Sequence, residues 1–458
     1  MRNKIVAISF ALILPAIVAV GAYVGMVVTP LLLIAAICVV IVLVALGKIK
    51  GRLIYPYIFG ISLGLIWQTT MMGVDVIGSD IHNEFYFAKL NLTQPWDYSM
   101  RNTDNASFVI WFIAPWLSKL LMLDMLWIFK AVLPLFLAFV PIVLFSVFKR
   151  QFGETRAFFA TIFFMIIPVF SMEIASIAKS MVAELFFALM VWIMVSDWRW
   201  PYKTAGICGS LAMAIACHYT VGFLGICFLL GMLLVRLVSS PLKWGLFANR
   251  KMPLATIMIC LVVSCGAFWG YHNHTAKGIM YESIEVLVFA YVPKPTDSVP
   301  IVDDSQSTIA DDDSQSTIID GSQPDAEQET QPSPSVSEPR PSRFSFELGR
   351  ATLVEAAIGL DFMEVPLDGK IFRIVQFLTQ LMIIIGVGRL IWAYKKYNVT
   401  AEFVGFVATS GFLLLACIFL LGFADTINMT RFYHISLFFI SPMFVLGCET
   451  LASMGRKK

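Results

Sequence analysis

Twelve long apolar runs, almost free of charge, divide this chain: 5–28, 31–47, 53–73, 125–148, 157–172, 181–198, 203–218, 220–237, 253–271, 371–394, 401–423 and 432–450. A run of about 20 apolar residues is what a helix needs to cross a bilayer. In lipid every backbone N–H and C=O must be satisfied within the span, which selects helices for runs of this kind. The expected fold is an all-α polytopic membrane protein with about twelve transmembrane helices.

Composition agrees. Apolar residues make up 58% of the 458 and charged residues only 14%, with a mean hydropathy of +0.79. Soluble domains carry about a quarter charged residues, so a soluble enzyme, a nucleic-acid-binding domain and a disordered scaffold are excluded. The bilayer is the expected surrounding partner, and no nucleic acid is expected.

A further apolar stretch, 107–122, is decided by where the basic residues fall. Positive clusters collect on the cytoplasmic side of membrane proteins. With a cytoplasmic N-terminus (Arg2, Lys4) and 107–122 lying at the interface, the clusters Lys48–Arg52, Lys149–Arg156, Arg199–Lys203, Lys243–Lys251, Lys395–Lys396 and Arg456–Lys458 all come inside. If 107–122 crossed, every later cluster would lie outside. The expectation is therefore a plasma-membrane protein with both termini cytoplasmic. It divides into spans 1–3 (1–73), an exterior loop with an interfacial helix (74–124), spans 4–9 (125–271), a second exterior loop (272–370), and spans 10–12 with a cytoplasmic tail (371–458). The first run follows Arg2 and Lys4 as a signal sequence would, but it is longer than the usual apolar core of about 7–15 residues, so an anchor is expected.

The second exterior loop holds a tract, 296–339, with eleven acidic residues and no basic one, so the net charge of +2 hides a strongly basic apolar body. The heptapeptide Asp-Asp-Ser-Gln-Ser-Thr-Ile occurs in it twice, at 303–309 and 312–318. Such a composition cannot bury enough apolar surface to form a core, and a disordered tract is expected. All eight cysteines lie within apolar runs without paired spacing, so they read as core residues.

Ionisable groups near spans are costly and mark functional positions. Under the topology above they collect on the exterior side: Asp75, Asp80, His82 and Glu84 after span 3, Lys179 and Glu184 at span 6, His218 with Tyr219 after span 7, and Arg431, Tyr433 and His434 opening span 12. The sharpest motif is Gly78-Ser-Asp80-Ile-His82-Asn-Glu84-Phe-Tyr86. On a helix Asp80 and Glu84 share a face and His82 leaves it; on an extended chain all three alternate onto one side. Paired carboxylates suit a general base, with His82 in support, or hard oxygen ligands for a divalent cation such as Mg2+ or Mn2+. The structural alternative is that Asp80 caps a helix and Glu84 is a solvated first-turn acid. Arg431 and Lys179, with Tyr433 and His434 beside them, suit a phosphate; snorkelling to headgroups is their bland alternative. Asp75, Glu184, His218 and Tyr219 complete the candidate site.

This pattern resembles the GT-C superfamily of multispanning glycosyltransferases, and the segments Gly78–Ala88, Lys179–Leu185, Ala216–Thr220 and Thr430–Pro442 look like an archaeal group of GT-C-like membrane proteins. The resemblance implies a sugar donor linked to polyprenyl phosphate, and Asp80 as catalytic base or metal ligand. It implies a glycan or protein acceptor, on the exterior face of the cell envelope. The further acidic motif and folded soluble domain of many oligosaccharyltransferases are missing, which favours transfer of a single sugar. No Walker or Rossmann glycine pattern is present to hold a nucleotide sugar. A secondary transporter or lipid-carrier flippase shares the twelve-span plan, and a polysaccharide polymerase shares the exterior site. Transport groups belong near the midplane, whereas these are stacked at the span ends.

Overall fold

The computed structural model describes residues 2–78, 80–97, 102–242, 252–275, 359, 362–363, 365–419 and 429–455. The acidic tract 296–339 lies outside them. Among the described residues there is no strand.

The helices are α1 (Arg2–Tyr23), α2 (Val28–Ala45), α3 (Ile54–Thr70), α4 (Asp80–Thr93), α5 (Val109–Leu121), α6 (Met125–Phe152), α7 (Glu154–Ile166, continued by Val169–Ser176), α8 (Ala178–Val195), α9 (Trp200–Cys217), α10 (Tyr219–Leu242), α11 (Leu254–Thr275), α12 (Leu367–Trp392), α13 (Ala401–Phe419) and α14 (Met429–Gly455). Nine of them are long and apolar enough to cross a membrane: α1, α2, α6, α8 and α10 to α14. α7 and its continuation make a tenth if counted as one span, bent by 57°. The bend falls where Pro168 follows Ile167, whose backbone is extended. Proline disfavours helical geometry in the residue before it.

The other two expected spans, 53–73 and 203–218, form α3 and α9, which are less apolar than the nine. Their packing nonetheless runs them beside spans from end to end. α3 lies antiparallel to α6: Thr70 donates to the Lys130 carbonyl at 2.9 Å, Phe59 packs on Phe139, and Tyr55 packs edge-on to Phe145. α9 lies parallel to α11: Thr204 meets Thr256 at 3.5 Å, Cys208 meets Cys260 at 3.7 Å, and the Ile215 carbonyl meets His272 at 3.1 Å. At about 1.5 Å per residue each is about 25 Å or more long. Segment 107–122 becomes α5, too short to cross; its end is turned by Met122 in left-handed geometry (φ 54°).

These contacts sort the bundle into two ends. One end gathers basic residues with their partners: Lys149 with Glu154, which also accepts from the Gly51 amide at 2.7 Å; Arg150 with Asp197; Arg156 with Glu449; Lys203 on the Met194 carbonyl; Arg389 on Thr450 and Tyr397. The other end holds α4, α5, the start of α6 and the candidate site. Three π-turns, Val109–Ile113, Ile128–Val132 and Val169–Glu173, fall there. Such turns re-aim side chains and recur at functional sites. In the second, Lys130 reaches the carbonyls of Met72, Gly73 and Asp75 at 3.0, 3.0 and 2.6 Å and so closes the end of α3.

Candidate functional site

The acidic motif folds as the first turns of α4, which begins at Asp80. Gly78, just before it, has φ 129° and lies against Ser176, so a side chain there would meet both a strained backbone and a steric block. That close approach lays α4 across the start of α8. The buried face of α4 is Ile81, Glu84 and Ala88, at helical spacing. His82 falls on the exposed face, away from both carboxylates, and Asp75 is exposed as well.

Glu84 is fully buried. Its Oε2 accepts from the Ala178 amide at 2.6 Å, and Oε1 lies 3.3 Å from Lys179 Nζ. The first amides of a helix have no partner within it, and α8 has no cap from its own Ile177. A carboxylate from another helix therefore caps α8, where the helix dipole favours negative charge. Lys179 also bonds Asp104. Burial outweighs these two favourable contacts and pushes the Glu84 carboxyl up to about 7.

Asp80 stands apart. Its Oδ2 accepts from Arg431 at 2.8 Å, and its side chain is 44% exposed while that of Arg431 is 10% exposed. The opening turns of α14 hold three such links. Thr430 donates to Glu173, Arg431 to Asp80, and His434 Nε2 meets Glu184 Oε2 at 3.0 Å. The last pair is wholly buried, with the ring among Phe164, Phe170 and Phe438. Tyr433 is half-buried beside it.

His218 lies between α9 and α10, buried, with its ring stacked 5.3 Å from that of half-buried Tyr219. The segment before α5 connects it to the rest. Asn102 accepts from the Asp104 amide at 2.7 Å in an Asx turn, which aims Asp104 at Lys179. Ser107 donates to the Cys217 carbonyl at 2.6 Å, next to His218.

The structure thus brings together Asp80, Glu84, Lys179, Glu184, Arg431, Tyr433, His434, His218 and Tyr219 at one end of the bundle. It leaves His82 and Asp75 on the surface. Asp104 is the member that sequence reasoning missed; its only local signal is the Asn-Thr-Asp-Asn turn composition.

A divalent cation needs several oxygen ligands unopposed by positive charge. Here Asp80 is held by Arg431, and the two Glu84 oxygens face Lys179 and an amide. Among the described residues no group of three His, Cys, Asp or Glu is placed to hold a metal ion. The residues do not fit Mg2+ or Mn2+ shared between Asp80 and Glu84.

Apolar helices of spanning length around a charged, partly buried cluster define a multispanning membrane protein. Residues 356–457, which include α12 to α14 and hence Arg431 and His434, match a family described as a predicted membrane protein (DUF2206). No curated protein and no solved structure matches the chain.

Proposed function

We propose that this protein is a membrane glycosyltransferase that moves a sugar from a polyprenyl-phosphate donor to a lipid-linked glycan or protein on the exterior face. The observation that carries the reading is the Asp80–Arg431 pair: a half-exposed carboxylate clamped by a buried guanidinium at the end of a lipid-facing bundle.

Arg431 presents a planar fork suited to a phosphate. As the donor phosphate enters, Arg431 shifts from Asp80 to the phosphate oxygens, and Asp80 is released to act as a base. The acceptor oxygen attacks the anomeric carbon, the bond from that carbon to the phosphate oxygen breaks, and polyprenyl phosphate departs. Asp80 takes the acceptor proton, and Arg431 balances the charge growing on the leaving phosphate. Glu84, Lys179 and Asp104 hold α4 over α8 and so position Asp80. No step runs through a metal.

The test is transfer of labelled sugar from polyprenyl-phosphate sugars to membrane acceptors, at matched expression. Asp80→Asn keeps the shape and loses the base, so transfer should fall about 10²–10⁴-fold with folding unchanged. Arg431→Lys keeps the charge and loses the fork, so KM for donor should rise more than kcat falls. Wild-type transfer by Asp80→Asn would remove the base assignment.

A transporter is the second reading, favoured by the buried Glu184–His434 pair, since ionisable pairs within spans serve ion-coupled transport. Solute counterflow in vesicles, abolished by Glu184→Gln but not by Asp80→Asn, would move that reading ahead.

A further inference from the structure

Among the described residues of the site, five buried polar atoms have no hydrogen-bond partner: His218 Nε2, Arg431 Nε, Ser180 Oγ, His434 Nδ1 and Glu84 Oε1, the last facing Lys179 Nζ at 3.3 Å. A buried donor without an acceptor is costly, so the donors His218 Nε2, Arg431 Nε and Ser180 Oγ call for one.

The ring of His218 is oriented. The Val221 amide donates to its Nδ1 at 3.3 Å. A ring nitrogen that accepts carries no hydrogen, so the neutral ring has its proton on Nε2, which is then a donor. A second proton, on Nδ1, would break the Val221 contact. Arg431 and Lys179 are both near enough for their charges to act on the ring. The segment 102–107 ties the two places together independently, binding Lys179 through Asp104 and the Cys217 carbonyl through Ser107. Ser180 is the next residue after Lys179. Lys179 is already paired with Glu84 and Asp104, but Arg431 meets Asp80 through Nη2 and leaves Nε unmatched. Arg431 Nε, His218 Nε2 and Ser180 Oγ are therefore the donors that suit a group rich in anionic oxygens.

We propose that His218 is a neutral hydrogen-bond donor, through Nε2–H, to an oxygen of a phosphate held by Arg431. The contact is to the phosphate itself, whether esterified to a lipid or free; the lipid source rests on the transferase reading above. His218 is a positioning group for the ligand and moves no proton.

Two variants isolate the Nε2 donor. His218→Asn keeps an acceptor for the Val221 amide but ends short of Nε2. His218→Gln carries an amide N–H to about the reach of Nε2. The readout is the protection of purified full-length protein against thermal unfolding, titrated with polyprenyl monophosphate in detergent and, in a parallel arm, with inorganic phosphate.

His218→Asn should weaken the apparent affinity by about tenfold or more, the scale of one hydrogen bond to a charged acceptor, and His218→Gln should stay within about threefold of wild type. Unliganded melting should be similar in all three. Wild-type affinity in His218→Asn overturns the proposal. So does an equal loss in both variants, which would assign the effect to ring shape. Absence of protection by either phosphate overturns it too. Equal protection by inorganic phosphate keeps the contact and makes the source soluble. Phosphate binding without sugar transfer keeps the contact and removes the transferase reading.

Discussion

A carboxyl group sealed from water resists ionisation, and Glu84 is the described residue where this matters most. Its folded value of about 7 is above the ordinary 4.5, so the folded protein holds this proton more tightly than the unfolded chain. The stabilisation is complete below about pH 4.5 and is lost as pH rises through 7, at up to about 1.4 kcal/mol per pH unit. The midpoint of unfolding in a detergent titration should therefore fall between about pH 5 and about pH 7.5 in the wild type. Glu84→Gln cannot ionise and should flatten that slope; an unchanged slope would mean that Lys179 keeps Glu84 ionised throughout. The i, i+4 spacing of Asp80 and Glu84 is legible in the amino-acid sequence, as is the placement of His82 off that face of a helix. Spacing does not tell that the two carboxylates take different partners, because Arg431 and Lys179 reach them from α14 and α8.

At the scale of elements, α12 is the least buried of the apolar helices, and its close contact is with α14. Gly386 lies against the backbone at Met443, and Gly447 lies against the backbone at Met382. Without water to drive helix association, small residues let backbones approach and provide the attraction. A methyl group on Gly386 would meet the Met443 carbonyl, so Gly386→Ala should force the helices apart. We expect a loss of about 1–3 kcal/mol in detergent unfolding. Gly388→Ala is the control: nothing lies within 4 Å of its added carbon, and it should stay within about 0.5 kcal/mol. The existence of α12 and α14 follows from apolar length. Their contact does not, because a glycine in an apolar run looks the same whether it faces lipid or another helix. The bend at Pro168 is likewise hidden inside an apolar run, 157–172, that reads as one straight span.

For the whole molecule the testable quantity is sidedness. Among the described residues, the contacts put the basic Lys149, Arg150, Arg156, Lys203 and Arg389 and the charged site at opposite ends of one bundle, and the positive-inside tendency then assigns the site to the exterior. A membrane-impermeant thiol reagent on intact cells should label Tyr86→Cys, exposed on α4, and spare Lys396→Cys, exposed beyond α12, relative to the wild-type background. The reverse pattern would place the site in the cytoplasm and remove the lipid-linked exterior donor with it.

The amino-acid sequence alone establishes that this is a helical membrane protein, roughly where its helices run, and which stretches stay short of crossing. These are local matters: apolar length and charge act within a single segment, and lipid leaves a backbone few other solutions. The rest comes from tertiary packing. It runs α3 and α9 beside spans that are more apolar than they are. It pairs Asp80 with Arg431 across 351 positions of chain, and it recruits Asp104 to Lys179. Buried charges must find partners wherever folding brings them, and those partners come from helices remote in sequence.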